Sequence, residues 1–203
     1  MPTTARPVTV RRPSRTASAP PMRDYPSMAP AQRTRYASAV HEAGHAVIAT
    51  VLGETVGSVT VTPDHPTHTG NMSLATERFA GAHHAQIAYA GPYAEAYFRQ
   101  GGPPTSALLR NLLASGGRED YAVMTAAGDT RPAEVPRLIA NCWASITSLA
   151  EHLMINGSAT QADVDRALRL PRDDQDGRHH ALAVIRSGSA PGSFMISPPG
   201  SRG

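Results

Sequence analysis

The chain has 203 residues, a length typical of one folded domain with or without flanking tails. All 19 basic residues are arginine, so the lysine of a G-x-x-x-x-G-K-S/T phosphate loop is absent and a P-loop ATPase is excluded. Residues 1–35 hold seven arginines against one acid, Asp24, a net charge of +6, whereas residues 36–203 hold twelve arginines against fifteen acids, a net charge of −3. The single cysteine, Cys142, excludes an intramolecular disulfide.

The apolar runs of the sequence are short. None approaches the roughly 18–20 residues of a membrane span, and the arginines near the N-terminus are not followed by the apolar stretch of a secretory signal. The sequence therefore predicts a cytoplasmic protein without a membrane segment.

The chain divides into three segments by composition. Residues 1–30 contain seven prolines and many serines and threonines. Their few apolar groups cannot offset the entropy lost on ordering, so this segment is predicted to be a disordered basic arm. Residues 171–203 combine an acidic cluster with a Gly/Ser/Pro-rich end and predict a disordered or low-complexity tail, in which residues 181–185 dock or form an isolated helix. The folded domain is predicted to cover residues 31–170.

Hydrophobic periodicity predicts a mostly α-helical domain with a small β-sheet or hairpin. Two segments favour strands, residues 56–61 and 71–75. Helical periods cover residues 32–52, 80–99, 108–113 (a turn or short helix), 118–127, 132–156 and 160–170. Thr160 and Asp163 resemble a capping box that opens the last helix.

The first predicted helix contains the sequence His41-Glu42-Ala43-Gly44-His45, an H-E-x-x-H motif. Side chains at positions i and i+4 share one face of a helix, so both imidazoles can reach one metal ion at about 2.0–2.1 Å. The glutamate between them is placed to take a proton from the attacking water, as in zinc peptidases. Gly44 costs about 1 kcal/mol relative to alanine inside a helix, which predicts that another chain segment approaches closely there.

A zinc site of this kind needs a third protein ligand. Val51 occupies the position at which metzincins have a third histidine, so that class is excluded. Asp120, at the start of the helix predicted over 118–127, is expected to face inward, whereas Glu119 points about 100° away. The alternative for Asp120 is an ordinary acid favoured by the positive end of the helix dipole.

Four other histidines and one acid are weaker candidates. His65 and His68 lie in a Pro/Thr-rich loop, and are predicted to be exposed or to border the substrate. His83 and His84 are adjacent in a helix and cannot share a face. Glu95 is predicted to be an ordinary acid on a helix surface, with support of the metal ligands as the alternative.

Several of these segments resemble the FtsH family of metallopeptidases. Residues 39–46 are similar to the family's H-E-A-G-H zinc helix, residues 59–63 with Gly70 to its V-T-I-x-P strand and the glycine beyond it, and residues 87–98 to its L-G-G-R-A-A-E-E helix. Residues 115–126 resemble the G-A-x-x-D segment that carries the third ligand, and residues 149–168 the closing helical region. The resemblance implies a zinc site formed by His41, His45 and Asp120, with Glu42 as general base.

The resemblance covers residues 31–170, and the chain differs from the family's pattern in two respects. The family joins its peptidase domain to membrane helices and an ATP-driven unfolding domain, and the 203 residues predict neither. The Gly-Gly-Arg of the middle helix is replaced by Ala90-Gly91-Pro92. The resemblance therefore implies a stand-alone zinc metalloendopeptidase that acts on unfolded polypeptides or works with a separate ATPase or oligomeric partner.

A second hypothesis is a catalytically silent or regulatory zinc-binding protein on the same scaffold. Its basic arm would then contact a partner or nucleic acid. Tyr25 is the only aromatic residue before residue 31, and arginines without interleaved aromatics provide only salt-sensitive, non-specific affinity. Nucleic-acid binding is therefore not the expected function.

Overall fold

The computed structural model describes residues 28–62, 70–75 and 83–193. The described residues form eight helices and one three-stranded antiparallel sheet, which confirms the predicted mostly helical class with a small sheet. In chain order the elements are α1 (Pro30–Leu52), β1 (Val56–Val61), β2 (Gly70–Leu74), α2 (His84–Gln100), α3 (Ser106–Ala114), α4 (Arg118–Ala126), α5 (Val135–Asn141), α6 (Trp143–Asn156), β3 (Ser158–Ala159), α7 (Gln161–Ala167) and α8 (Gln175–Ser187). The predicted arm up to residue 27, the loop with His65 and His68, and residues 194–203 lie outside the described part.

Helix α1 runs through the centre of the domain. Proline at its first position suits a helix start because its missing N–H would have no partner there, and Gly53 ends it in the left-handed conformation. From Glu42 to Val51 every residue of α1 is buried, and the helix packs against α2, α6, α8 and the sheet. The motif predicted to bind metal therefore lies at the start of the buried part of α1.

Helices α1 and α2 approach each other closely at Gly44. A Cβ at this position would lie 2.7 Å from the Cβ of Ala94 and 2.9 Å from the carbonyl oxygen of Ala90. These separations are shorter than van der Waals contact, so only glycine fits. The close approach predicted from the sequence is confirmed, and packing offsets the roughly 1 kcal/mol that glycine costs inside a helix.

The sheet has the strand order β2-β1-β3, and both pairings are antiparallel. Val59 of β1 is opposite Met72 of β2 on one side and Ala159 of β3 on the other. Val59 and Val61 are buried while Thr60 between them is exposed, the alternation expected of a sheet with one face on the core. A register shift between Val56 and Ser58 accompanies the burial of Val56 three residues before Val59. Both predicted strands are confirmed; the two-residue β3 was not predicted.

The single helix predicted over residues 132–156 is wrong. The chain forms α5 and α6, which meet at the buried residue Cys142, whose φ of −94° and ψ of 9° interrupt the helix. Ile139 before the break and Ile146 after it are both fully buried. Because both helices turn the same apolar side to the core, the periodicity continues across the break and does not reveal it.

The last predicted helix is shorter than expected. It ends at Ala167, and Arg169 then adopts a φ of 56°, in the left-handed region. The predicted capping box at its start is confirmed, since the Asp163 carboxylate accepts a hydrogen bond of 2.9 Å from the Thr160 backbone N–H.

Helix α8 lies beyond residue 170, where the folded domain was predicted to end, and it includes residues 181–185, for which docking or an isolated helix was predicted. Residues 175–187 form α8, which buries Ala181, Leu182 and Ile185 and packs against α1 and α5. The acidic cluster before it includes the helix cap, since the Asp174 carboxylate accepts a hydrogen bond of 2.8 Å from Gly177 N–H. Capping and an apolar face of three residues are enough to order a segment whose average composition resembles a tail.

Within the described ranges no helix combines the length and apolar character needed to cross a membrane.

Replacing Leu182 by alanine tests whether α8 belongs to the core. Leu182 is 2% exposed, so Leu182→Ala should lower the free energy of unfolding by about 2–5 kcal/mol, measured by urea denaturation of the full chain. The exposed neighbour His179 supplies the control, and His179→Ala should be nearly neutral. Equal effects of the two substitutions would show that α8 contributes nothing to the core.

Candidate metal centre

Three side chains from two helices meet beside α2. His41 and His45 lie one turn apart on α1, and Asp120 lies in the first turn of α4. His41 Nε2 is 3.2 Å from Asp120 Oδ2, and His45 Nε2 is 3.3 Å from Asp120 Oδ1. One ligand atom from each residue can be chosen so that all three lie within 4.8 Å of one another, an arrangement that could hold a metal ion.

The donor set fits a small divalent cation. Two ligands that are each 2.0–2.1 Å from a tetrahedral zinc ion lie roughly 3.3 Å apart. Each imidazole Nε2 lies at about that distance from one Asp120 oxygen, His41 from Oδ2 and His45 from Oδ1. Nitrogen and carboxylate ligands of this kind suit zinc and other first-row divalent metals.

Both imidazole rings are oriented by hydrogen bonds on the opposite side. His45 Nδ1 is 2.7 Å from the carbonyl oxygen of Ile87, and His41 Nδ1 is 3.0 Å from Glu95 Oε2. A carbonyl and a carboxylate accept hydrogen bonds, so each Nδ1 is the donor and each Nε2 is left to face Asp120. Such partners commonly set the tautomer and ring orientation of metal-bound histidines.

This contact corrects the prediction for Glu95. Its side chain is only 12% exposed, on the side of α2 that faces α1, and it is bonded to His41. The prediction of an ordinary surface acid is wrong, and the alternative, support of a ligand histidine, describes its position. Spacing along α2 alone does not show which neighbouring helix a side chain meets.

The histidines and carboxylates of the cluster shift one another's pKa values. Burial lowers the pKa of His41, but hydrogen bonds to Asp120 and Glu95 outweigh this effect and raise it to about 10. Burial raises the pKa of Asp120, but the charge of His45 and the hydrogen bonds from both histidines outweigh this effect and hold the pKa below its ordinary value. Protons and a metal ion would therefore compete for the same position.

Glu42 lies beside the cluster and is 7% exposed. Burial raises the pKa of its carboxyl group, and the nearby charges of His41 and His45 offset only part of that rise. Gly70 of β2 backs the carboxylate, because a Cβ there would lie 2.7 Å from Glu42 Oε1. A buried carboxylate with raised proton affinity is suited to accept and then return a proton.

Gly91 of α2 forms the wall behind the two histidines. A Cβ at this position would collide with His45 Nε2 and lie 2.7 Å from His41 Cδ2. The sequence signal for this residue was glycine in the interior of a predicted helix, but its role was not predicted. The carbonyl of Ile87 was also missed, and a backbone group leaves no signal in the residue type.

The remaining sequence candidates lie elsewhere. Glu119 is exposed on α4 and outside the cluster, so the geometry favours Asp120 over its neighbour. His83 Nδ1 lies 3.5 Å from Glu54 Oε1, and His84 begins α2 outside the cluster. His65 and His68 fall outside the described residues.

No protein-family model matches the sequence, and no curated protein matches it either. The resemblance to the FtsH family therefore depends on the quoted residues alone.

Substituting Gly91 tests the geometry of the centre. The added methyl of Gly91→Ala would occupy space against His45 Nε2, so the affinity of the metal-free chain for a divalent ion should fall at least about tenfold, as when ligand orientation is disturbed. Competition with a chromogenic chelator measures this affinity.

Gly116→Ala is the matched control, because a Cβ at Gly116 would meet nothing within 4 Å. Equal metal affinities for the two variants would show that the space beside Gly91 is not part of the metal centre.

Proposed function

We propose that the protein is a zinc-dependent metalloendopeptidase, a stand-alone relative of the FtsH peptidase domain that hydrolyses unfolded polypeptides. The observation that carries the proposal is the meeting of both H-E-x-x-H histidines with Asp120, at separations of 3.2 and 3.3 Å, beside the buried Glu42. The resemblance of the zinc helix and of the segment around Asp120 to that family supports the same conclusion.

His41, His45 and Asp120 would hold the zinc ion. Three protein ligands leave one position for water or substrate, the arrangement typical of catalytic rather than structural zinc sites. When bound, zinc lowers the pKa of a water molecule and polarises a carbonyl group. Among the residues that the structure describes, the cluster contains three candidate ligands, which supports catalysis over the alternative of a closed, regulatory site.

Glu42 would move the proton in this reaction. Its carboxylate accepts a proton from the attacking water and then delivers it to the nitrogen of the leaving amine, so the carboxylate is regenerated. Burial raises the pKa of this group, which favours holding the proton between the two steps. The neighbouring Gly70 leaves the carboxylate room that a larger side chain would occupy.

The sheet supports a polypeptide substrate. In the described part of the chain β2 pairs with β1 alone, so its other side can bind an extended peptide by main-chain hydrogen bonds. Because Gly70 of β2 lies against Glu42, a peptide on that edge would pass close to the proposed base. Pairing of this kind requires an extended chain and therefore an unfolded substrate. A separate ATPase or oligomeric partner and a cytoplasmic location stay predictions.

Metal content tests the proposed ligand set. Asp120→Asn should lose most of its bound zinc because the amide carries no charge and is a weaker ligand, whereas Glu119→Gln should retain about one zinc per chain, as in the wild type. Inductively coupled plasma mass spectrometry of protein dialysed against a weak chelator provides the measurement. Retention of zinc in Asp120→Asn would exclude Asp120 as a ligand.

Hydrolysis of an unfolded protein tests the role of Glu42. Glu42→Gln keeps the size of the side chain but cannot accept the proton, so cleavage of fluorescently labelled casein should slow by about 10²–10⁴-fold while bound zinc is unchanged. Glu54→Gln, a substitution on the loop after α1, is the control and should retain full activity. Full activity of Glu42→Gln with its zinc in place would contradict the mechanism.

A further inference from the structure

The carboxylate that orients His41 is itself held by an arginine. Glu95 uses its two oxygens separately: Oε2 accepts the hydrogen bond from His41 Nδ1 at 3.0 Å, and Oε1 faces Arg99. Arg99 donates to that oxygen from both Nε, at 2.8 Å, and Nη2, at 2.6 Å. The hydrogen bonds form a continuous line from the exposed end of α2 to the proposed metal ligand.

The two contacts determine how the carboxylate is rotated. The guanidinium contacts Oε1 and leaves Oε2 facing His41, so this contact opposes rotation of the carboxylate away from the imidazole ring. The planar, rigid donor fork of arginine is suited to this task, whereas lysine would present a single point charge. Arg99 also lies in the last turn of α2, where a positive charge is favoured by the helix dipole.

We propose that Arg99 is a positioning residue for the metal centre: it holds Glu95 in the rotation that orients His41 toward the ion. The inference rests on the proposed role of His41 as a metal ligand and on no other part of the proposed function. Arg99 lies two contacts away from His41, the proposed metal ligand, and carries no sequence signature of its own.

An ordinary surface ion pair is the competing explanation. Arg99 is 40% exposed, and exposed pairs four residues apart contribute little to stability. Such a pair would affect the folding of α2 slightly and the metal not at all. Unlike the acid of an ordinary surface pair, Glu95 is only 12% exposed and its other oxygen contacts His41. A change in the position of Glu95 would therefore affect the proposed metal ligand.

Zinc affinity of the metal-free full chain separates the two explanations. Arg99→Gln removes the charge and the fork but keeps a helix-forming side chain, and it should bind Zn²⁺ about tenfold more weakly than the wild type in competition with a chromogenic chelator. Glu95→Ala should weaken binding by about 10–100-fold. In the double variant the loss should equal that of Glu95→Ala alone, because Arg99 acts only through the carboxylate.

Arg166→Gln is the matched control. Arg166 on α7 also pairs with an acid one turn away, Asp163, at 2.7 Å, but α7 contributes no residue to the cluster. This variant should retain wild-type zinc affinity, and the thermal unfolding of all four metal-free variants confirms that each one is folded.

Three results would overturn the inference, and they are distinguishable. If the wild type binds Zn²⁺ and Arg99→Gln binds it equally well, Arg99 is only a surface partner of Glu95 and the proposed function stands. If the wild type itself binds no Zn²⁺, the proposed metal site and the role of Arg99 both fail. A further loss of affinity from Arg99→Gln in the Glu95→Ala background would also exclude action through Glu95.

Discussion

The close packing of α1 against α2 is the constraint on which the rest of the site depends. Because Gly44 on α1 has no side chain, Ala90 and Ala94 of α2 pack directly against it. In the same way Gly91 on α2 leaves the space that the two imidazole rings occupy. With larger residues at these positions the helices would separate, and neither the Ile87 carbonyl nor the Glu95 carboxylate would reach its histidine. The stability that each glycine costs within a helix, about 1 kcal/mol relative to alanine, is offset by the packing that orients the ligands.

Electrostatics explains why this packing suits a cation. Three carboxylates, those of Glu42, Glu95 and Asp120, surround two histidines in a largely buried region. Isolated charges are costly to bury unless they are paired, and the shifted pKa values of His41 and Asp120 reflect that pairing. A divalent ion coordinated by the two histidines and Asp120 would satisfy the same requirement without the protons.

The third side chain reaches the cluster from a separate helix, and α2 again determines its position. Helix α4 packs on α2, and a Cβ at Gly117, just before α4, would lie 3.1 Å from Pro92. Met124, one turn after Asp120, is fully buried and holds that face of α4 inward. The Ala90-Gly91-Pro92 stretch therefore contacts both helices that carry the candidate ligands.

The sequence by itself determined what depends on local geometry. The period of the helix places His41 and His45 on one face, Asp120 on the face of Met124 and Glu119 away from it, while alternation defines β1 and a capping box starts α7. Only the tertiary structure decided the contacts across the chain: Glu95 lies 54 residues from His41, and Ile87 lies 42 residues from His45. The burial of α8 and the break at Cys142 belong to the same group. The physical reason is that periodicity establishes how a side chain points relative to its own helix, whereas the neighbour that it meets depends on how distant apolar surfaces pack.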